Sequence, residues 1–412
     1  MTRRQLTQRR SRAPAGFTLL EMLVAVVAGT MTIATVYTLG AGSTRAFHEQ
    51  NRINQSQAAV RAAMEQVRRD VSRAGFGATP DSGLNASNGD RGANPAGCSV
   101  TQAFRLVGLD INDGAYSGQL QLPDNAHNVV QADGIIMSGN YATGDHYLVS
   151  EISGGTTITF QQTRQSFRRS FGSPLNAQRF AEAFQVGRWV YLVSETGRRV
   201  AREITSVNGA SASVTVTPGI TVGCFGYGRG ARISPISRVE YYAASPASDA
   251  AFSWLLPRGT AAELVARGVE QAVLARRELA FVGGNTPIAN SERVVLEYLV
   301  HFNAVITLVT GPVLTPSFVE TLAVDGGARD LDDAPASARA VRMTLGARTP
   351  GVDPNFVWTG PRASQRASLR SYLPRLPPGM SATQAVGLAP AAHVRTAEEV
   401  IMLENIANRG LR

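Results

Sequence analysis

The chain has 412 residues, of which 44% are hydrophobic and 17% are charged. A chain of this length and composition can bury a core and form one large or two modest domains, which excludes a short peptide and a generally disordered protein. The formal net charge is +9, and all 40 basic residues are arginine. Five of these arginines lie in the first sixteen residues, and without them 35 basic residues face 31 acidic ones. The charge alone therefore gives no reason to expect nucleic acid as a partner.

An apolar segment follows the basic N-terminus directly. Residues 17–39 contain a single charged residue, Glu21. A helix over these residues rises ~1.5 Å per residue and would be roughly 35 Å long, enough to cross a hydrocarbon core of ~30 Å. The preceding arginines favour a cytoplasmic N-terminus. A simple single-pass anchor leaves Glu21 unexplained, because a carboxylate in an apolar span is costly unless it is paired, protonated or able to reach water at the interface.

A second helical pattern runs on from the apolar segment and lacks helix breakers between residues 45 and 74. Apolar residues recur on one face at Ile53, Val60, Met64, Val67 and Val71. Charged residues are predicted on the other faces, namely Arg61, Glu65, Arg68, Arg69 and Asp70. Gly75 is the predicted C-cap. We therefore predict a membrane-spanning half of one helix at 17–39, an amphipathic half at 40–75, and a head at 76–412.

Residues 16–22 read GFTLLEM and follow a short basic leader. This motif resembles the class III signal of type IV pilins and pseudopilins. The resemblance implies that a prepilin peptidase removes residues 1–16 by cutting after Gly16, and that Phe17 becomes an N-methylated first residue. It also implies that Glu21 neutralises the N-terminal amine of a neighbouring subunit, which supplies the partner that an intramembrane carboxylate needs.

Further segments are similar to PilW-type minor pilins, with the J-type pseudopilin of type II secretion systems as a relative. They are VRRDVSRAGFG (67–77), SRVEYYAA (237–244), LARREL (274–279), VVLEYLVHF (294–302) and RAVRMTLGART (339–349). The similarity is patchy, and the chain departs from the family in its large size and in a long Pro-rich insertion. It implies a pilin-like α+β fold, in which the long helix packs on an antiparallel β-sheet head.

The sequence of the head predicts mostly β structure. Short β-type runs alternate with turns over 99–160, and residues 188–218 read as three strands joined by two turns. Residues 260–280 are ambiguous, because Thr260 and Glu263 form a capping-box pattern that favours a helix, whereas the resemblance makes LARREL a strand.

Later segments of the head differ in the structure that their sequences predict. EYLVHFNAVITLV (297–309) is a buried strand or a helix leading into one. Seven prolines between residues 350 and 390 indicate a loop-rich segment with little regular structure. An ordered element resumes at EEVIMLENI (398–406).

The two cysteines, Cys98 and Cys224, would lie on the periplasmic side of such an anchor, where disulfides form and persist. We predict one disulfide between them, with separate burial of the two thiols as the alternative. Sequence cannot decide between these, because the two Cα atoms must come within about 7 Å of each other. Two cysteines alone cannot form a Cys-ligated zinc site, and no metal or cofactor site is predicted.

No catalytic motif is found, and we expect a non-enzymatic protein. GCFGYGRG (223–230) is interpreted as a turn, and RQSFRRSF (164–171) as a solvated loop with a packed aromatic residue. The loop at 325–333 has four aspartates that could hold a cation, although its spacing matches no EF-hand, and a solvated loop is the preferred interpretation. These are Asp325, Asp330, Asp332 and Asp333.

The sequence favours a minor pilin that helps to assemble or initiate a type IV pilus. Its expected partners are the prepilin peptidase, other minor and major pilins, the inner-membrane assembly platform and membrane lipid. We expect a single pass through the inner membrane with a periplasmic head, and a position in the pilus, at its tip, after assembly. The alternatives are a J-type pseudopilin of a type II secretion system and a monomeric membrane-anchored periplasmic binding domain.

Overall fold

The computed structural model describes residues 18–76, 108–112, 131–197, 199–222, 226–246, 249–256, 271–281, 286–310, 317–322, 338–360, 370–374 and 376–404. The chain divides into two compact units, Met1–Asn54 and Gln55–Arg412. The predictions for Cys98, Cys224, Thr260, Glu263 and the loop 325–333 fall outside the described residues. Gly16 and Phe17 also fall outside them.

One long helix, α1 (Leu19–Arg73), begins the described chain. It contains no proline, so no backbone N–H is missing from its hydrogen-bond ladder. After its last residue, Gly75 has a φ of +78°, in the left-handed region that glycine adopts without strain. The Gly75 N–H donates to the carbonyl oxygen of Ser138 at 2.9 Å. The predicted C-cap is thereby confirmed.

Seventeen strands and several short helices make up the rest of the described chain. The strands are β1 (Leu109–Asn112), β2 (Gln131–Ala132), β3 (Gly134–Gly139), β4 (Tyr147–Ser153), β5 (Thr157–Phe160), β6 (Trp189–Val193), β7 (Arg199–Asn208), β8 (Ser213–Thr217), β9 (Arg232–Ala244), β10 (Val273–Leu279), β11 (Arg293–Leu296), β12 (Leu299–Thr310), β13 (Ser317–Leu322), β14 (Ala338–Arg348), β15 (Asp353–Val357), β16 (Ser371–Tyr372) and β17 (Pro390–Met402). The helices are α2 (Gln165–Phe171), α3 (Ala177–Ala183), α4 (Ala382–Ala385) and a 3₁₀ helix, Ala250–Leu255.

Six strands close into a small antiparallel barrel. The first part of β9 pairs with β4 on one side and with β6 on the other, and the ring continues through β5, β8 and β7. Alternate apolar residues of these strands face inward, as the period of a strand requires. The interior is filled by one apolar cluster, to which the strands contribute Tyr147, Val149, Ile158, Phe160, Val190, Leu192, Ile204, Val214, Val216 and Ile233.

Helices α2 and α3 add four aromatic side chains to the barrel interior. Phe167 and Phe171 come from α2, and Phe180 and Phe184 come from α3 and its C-cap. The rings of Phe160 and Phe184 have centroids 4.7 Å apart in an edge-on arrangement. The prediction of a loop over residues 164–171 is therefore wrong, because the i, i+4 spacing of Phe167 and Phe171 places both rings on the buried face of a helix.

The second part of β9 belongs to an open sheet that continues from the barrel. There β9 pairs with β3 and β10, while β1 pairs with β3 and β11 with β10. A separate antiparallel sheet has the order β13-β12-β14-β17-β15, with β16 beside β17 and the short β2 parallel to β12. The strand interpretations of LARREL and of EYLVHFNAVITLV are thus confirmed at β10 and β12.

The head core joins the last part of α1 to both sheets. On the helix, Val60, Met64, Val67 and Val71 are buried, as the sequence stripe predicts. They share one apolar cluster with Val239 and Tyr241 of the open sheet and with side chains of β12 and β14, including Phe302 and Met343. The predicted α+β class, a long N-terminal helix followed by an antiparallel β head, is confirmed.

Val67→Ala is expected to lower the free energy of unfolding of the head by about 2 kcal/mol. Val67 is 1% exposed, and its removal loses two buried carbon atoms at ~0.8 kcal/mol each and leaves a small cavity. Urea unfolding of the full chain in detergent, followed by tryptophan fluorescence, measures this, because all three tryptophans lie beyond residue 54. Arg61→Ala, on the exposed face of the same helix, should change the value by no more than about 0.5 kcal/mol. Equal effects of the two substitutions would contradict the packing described.

Candidate functional site

The apolar first half of α1 buries none of its large side chains within the chain. Leu19 is 84% exposed and Ile33 is 70% exposed, and the other large apolar residues between them are also exposed. This helix reaches a mean hydropathy of 2.0 over 18 residues, and among the described residues it is the one helix long and apolar enough to span a membrane. So large an exposed apolar surface marks a site that contacts a membrane or other protein.

Polar side chains in this segment are satisfied by their own helix. The hydroxyls of four threonines donate to backbone carbonyl oxygens three or four residues earlier, at 2.8–2.9 Å. They are Thr30, Thr32, Thr35 and Thr38. Because these hydroxyls need no outside partner, they add little to the cost of placing the segment in an apolar environment.

Glu21 forms a capping box with Thr18 at the start of α1. The Glu21 carboxylate accepts hydrogen bonds from the Thr18 N–H at 2.9 Å and from its hydroxyl at 3.0 Å. The Glu21 N–H donates in return to the Thr18 hydroxyl oxygen at 3.3 Å. The side chain is exposed, so its carboxylate is open to a further cation. Sequence reasoning assigned Glu21 to subunit pairing and missed this local role, which the Thr-x-x-Glu spacing indicates.

Asp70 anchors the last turn of α1 to the open sheet. Its Oδ2 atom accepts hydrogen bonds from the Tyr241 hydroxyl and from Arg276 Nε, each at 2.8 Å. Tyr241 of β9 and Arg276 of β10 are direct partners across the antiparallel pair, so two neighbouring strands converge on one carboxylate. The sequence places Asp70 on a face other than the apolar stripe, and the structure adds that this residue is buried, with 8% of it exposed.

Burial and the charge of Asp70 have opposite effects on the pKa of Arg276 and act in the same direction on the pKa of Tyr241. Burial lowers the pKa of Arg276, but the charge of Asp70 and the hydrogen bond to it outweigh burial and raise that pKa above its ordinary value. Burial also raises the pKa of Tyr241, and the nearby Asp70 carboxylate raises it further. Arg276 therefore stays charged and Tyr241 stays a neutral hydrogen-bond donor across the physiological range.

The other charged residues of LARREL also form pairs, on alternate faces of β10. Arg277 Nε donates to Glu240 Oε2 at 2.5 Å, on the face opposite Arg276. Glu278 accepts two hydrogen bonds from Arg188, at 2.8 and 2.9 Å. The run of three charges in one strand is thus explained by three separate ion pairs, which hold α1, β9 and the start of β6 against β10.

A polar cleft of about 590 Å³ opens beside this network within the head. The last turns of α1, helices α2 and α3, and strands β10 and β11 line it. Six of its lining side chains are arginines, and three are acidic. Sequence reasoning missed this cleft, because its arginines are spread from residue 69 to residue 293.

Comparison with known proteins identifies no family for the chain. No protein-family model and no curated protein sequence matches it. Among solved structures, it is similar to a type IV-like pilin from Thermus thermophilus, with 12% sequence identity, over 54% of this chain and 90% of that chain, at a TM-score of 0.18. A similarity with so low a TM-score carries no argument about function.

Proposed function

We propose that this chain is a pilin-like subunit that acts by assembling with other pilin-like subunits and not by catalysis. The observation that carries the proposal is an exposed apolar helix with internally satisfied threonines, which begins within the GFTLLEM motif. In a bilayer the apolar surface faces lipid, and in a filament it faces the same surface of neighbouring subunits. One sequence can therefore serve both environments.

Within this class, the proposal is a minor pilin that takes part in assembly or initiation of a type IV pilus. A head of more than 300 residues would crowd a filament built only from its own copies, whereas a tip position accommodates it. The proposed partners are the prepilin peptidase, other minor and major pilins, the inner-membrane assembly platform and membrane lipid. The proposed topology is one pass with a cytoplasmic N-terminus and a periplasmic head.

Two other functions are the alternatives to this proposal. A J-type pseudopilin is supported by the leader and the long helix, which it would share with a minor pilin. A monomeric periplasmic binding domain on a simple anchor is supported only by the length and hydropathy of the helix. This last alternative does not explain Glu21 or the motif that contains it.

Affinity capture of the full chain from native membranes tests the proposal. We expect other pilin-like subunits and the assembly platform to be recovered together with it. Recovery of pseudopilins and of a type II secretion platform would favour the J-type alternative. Recovery of the chain alone, under mild detergent conditions that keep other pilin complexes intact, would contradict the assembly role.

A further inference from the structure

The arginine-lined cleft of the head has a floor and a rim with different roles. At the floor, Arg276 pairs with Asp70 at 2.8 Å, and Arg188 pairs with Glu278 through two hydrogen bonds at 2.8 and 2.9 Å. All four of these side chains are largely buried. Because each positive charge at the floor already has its own carboxylate, the floor is neutral and serves to fix the shape of the cleft.

The rim carries the excess positive charge. Arg69 and Arg73 of α1, Arg179 of α3 and Arg293 of β11 line the cleft and are exposed. Among the described residues, no carboxylate lies within 4.0 Å of any of these four guanidinium groups. Glu182 is the remaining acidic residue of the lining, so the cleft as a whole has an excess of three positive charges.

A buried hydroxyl of the lining also has no partner. Tyr141 is one of the residues that line the cleft, and its hydroxyl oxygen is buried without a hydrogen-bond partner among the described residues. An unsatisfied buried hydroxyl costs free energy in the absence of a ligand. Burial, followed by the charge of Asp70, raises the pKa of Tyr141 well above its ordinary value, so the hydroxyl stays protonated and can donate to an anion.

These features point to carboxylates as the ligand groups. Guanidinium groups present a planar fork of donors that matches a carboxylate, and gathering four of them at one cleft is unfavourable until anions bind. Pockets for small organic ligands are lined mainly by apolar and aromatic side chains, whereas this lining is dominated by charged ones. Clusters of arginine on an open surface are instead typical of proteins that recognise acidic peptide motifs.

We propose that this cleft binds an acidic peptide segment, with two or more carboxylates placed against the rim arginines and one near Tyr141. This inference rests on the cleft alone and not on the proposed assembly role. The floor pairs position the helix and strands that carry the rim, so Arg69, Arg73, Arg179 and Arg293 are the residues that contact the ligand. The binding weakens as salt concentration rises, because the rim is exposed to solvent.

The test measures binding of a fluorescent hexaglutamate peptide to the full chain in detergent by fluorescence polarisation. The double variant Arg179→Gln, Arg293→Gln removes two rim charges from two different elements and leaves both floor pairs intact. The matched control is the double variant Arg168→Gln, Arg229→Gln, which removes the same charge from exposed positions that do not line the cleft. We expect the rim variant to bind the peptide at least tenfold more weakly, and the control to bind within about twofold of the wild type.

Three outcomes would overturn the proposal. The first is no binding of hexaglutamate at low salt, or the same binding as an uncharged hexaglutamine peptide. The second is an equal loss of peptide affinity in the rim and control variants, which would show that the effect comes from net charge alone. The third is that inorganic phosphate or a single-stranded oligonucleotide binds as tightly as the peptide, and that its affinity falls by the same factor in the rim variant. That result would make the cleft a general anion site. Unchanged urea midpoints for both variants show that each one is folded.

Discussion

Replacing Asp70 by alanine is expected to lower the free energy of unfolding of the head by about 3–5 kcal/mol, the range typical of breaking a buried ion pair from one side. The substitution leaves Arg276 largely buried with its charge uncompensated, and it removes the acceptor of the Tyr241 hydroxyl. Three elements, α1, β9 and β10, lose a shared contact at the same time. Urea unfolding of the full chain, followed by tryptophan fluorescence, measures the change.

A matched control lies one turn earlier on the same helix. Glu65 pairs with Arg68 at 2.8 Å, but both side chains are about half exposed. Solvent screens so exposed a pair, so Glu65→Ala should lower the free energy of unfolding far less than Asp70→Ala. The double substitution Asp70→Ala, Arg276→Met should recover part of the loss, because it removes both charges together. An Asp70→Ala protein as stable as Glu65→Ala would show that the carboxylate does not anchor the helix.

Substituting Glu21 is expected to reduce recovery of partner subunits at least tenfold without preventing membrane insertion. Glu21→Val removes a carboxylate from an apolar segment, so insertion should be equal or better. If the carboxylate pairs with a neighbour's N-terminal amine, its loss leaves that amine uncompensated in an apolar environment, and assembly should fail. Affinity capture from membranes, normalised to the amount of inserted protein, measures both effects.

Glu21→Gln separates pairing from helix capping. Glutamine can keep the capping box with Thr18, whereas it lacks the negative charge. If Glu21 acts only as a cap, the glutamine variant should recover partners as well as the wild type, and only the valine variant should be impaired. The pairing hypothesis predicts that both variants fail. Normal recovery with Glu21→Gln would therefore contradict the proposed pairing.

The parts of the fold that follow from local periodicity could be predicted from the sequence. The spacing of Val60, Met64, Val67 and Val71 identifies the buried face of α1, and Gly75 identifies its end. The β-type runs of 188–218, separated by two turn signals, identify β6, β7 and β8. In each case the signal depends on residues a few positions apart, so no knowledge of the tertiary structure is needed.

The features that depend on distant residues could not be predicted. Closure of the barrel depends on β9, which pairs with β4 and β6 through its first part, over separations of many tens of residues. The burial of Asp70 depends on Arg276 and Tyr241, which lie about 200 and 170 residues away along the chain. Unless such partners are known, an aspartate on a helix is expected to face solvent. The two-residue period of a strand predicts that Arg276 and Glu278 of LARREL lie on one face, but it does not predict which residues they contact.

The N-terminus of the mature protein gives the most direct test of the claim that this chain is a pilin-like subunit. Tandem mass spectrometry of the protein purified from native membranes is expected to find Phe17 as the first residue, with one methyl group on its amine. Replacing Gly16 by a bulky residue should abolish the cut and leave the precursor in the membrane. An unprocessed chain that starts at Met1, or a cut beyond residue 39 that releases the head from its apolar helix, would contradict the account.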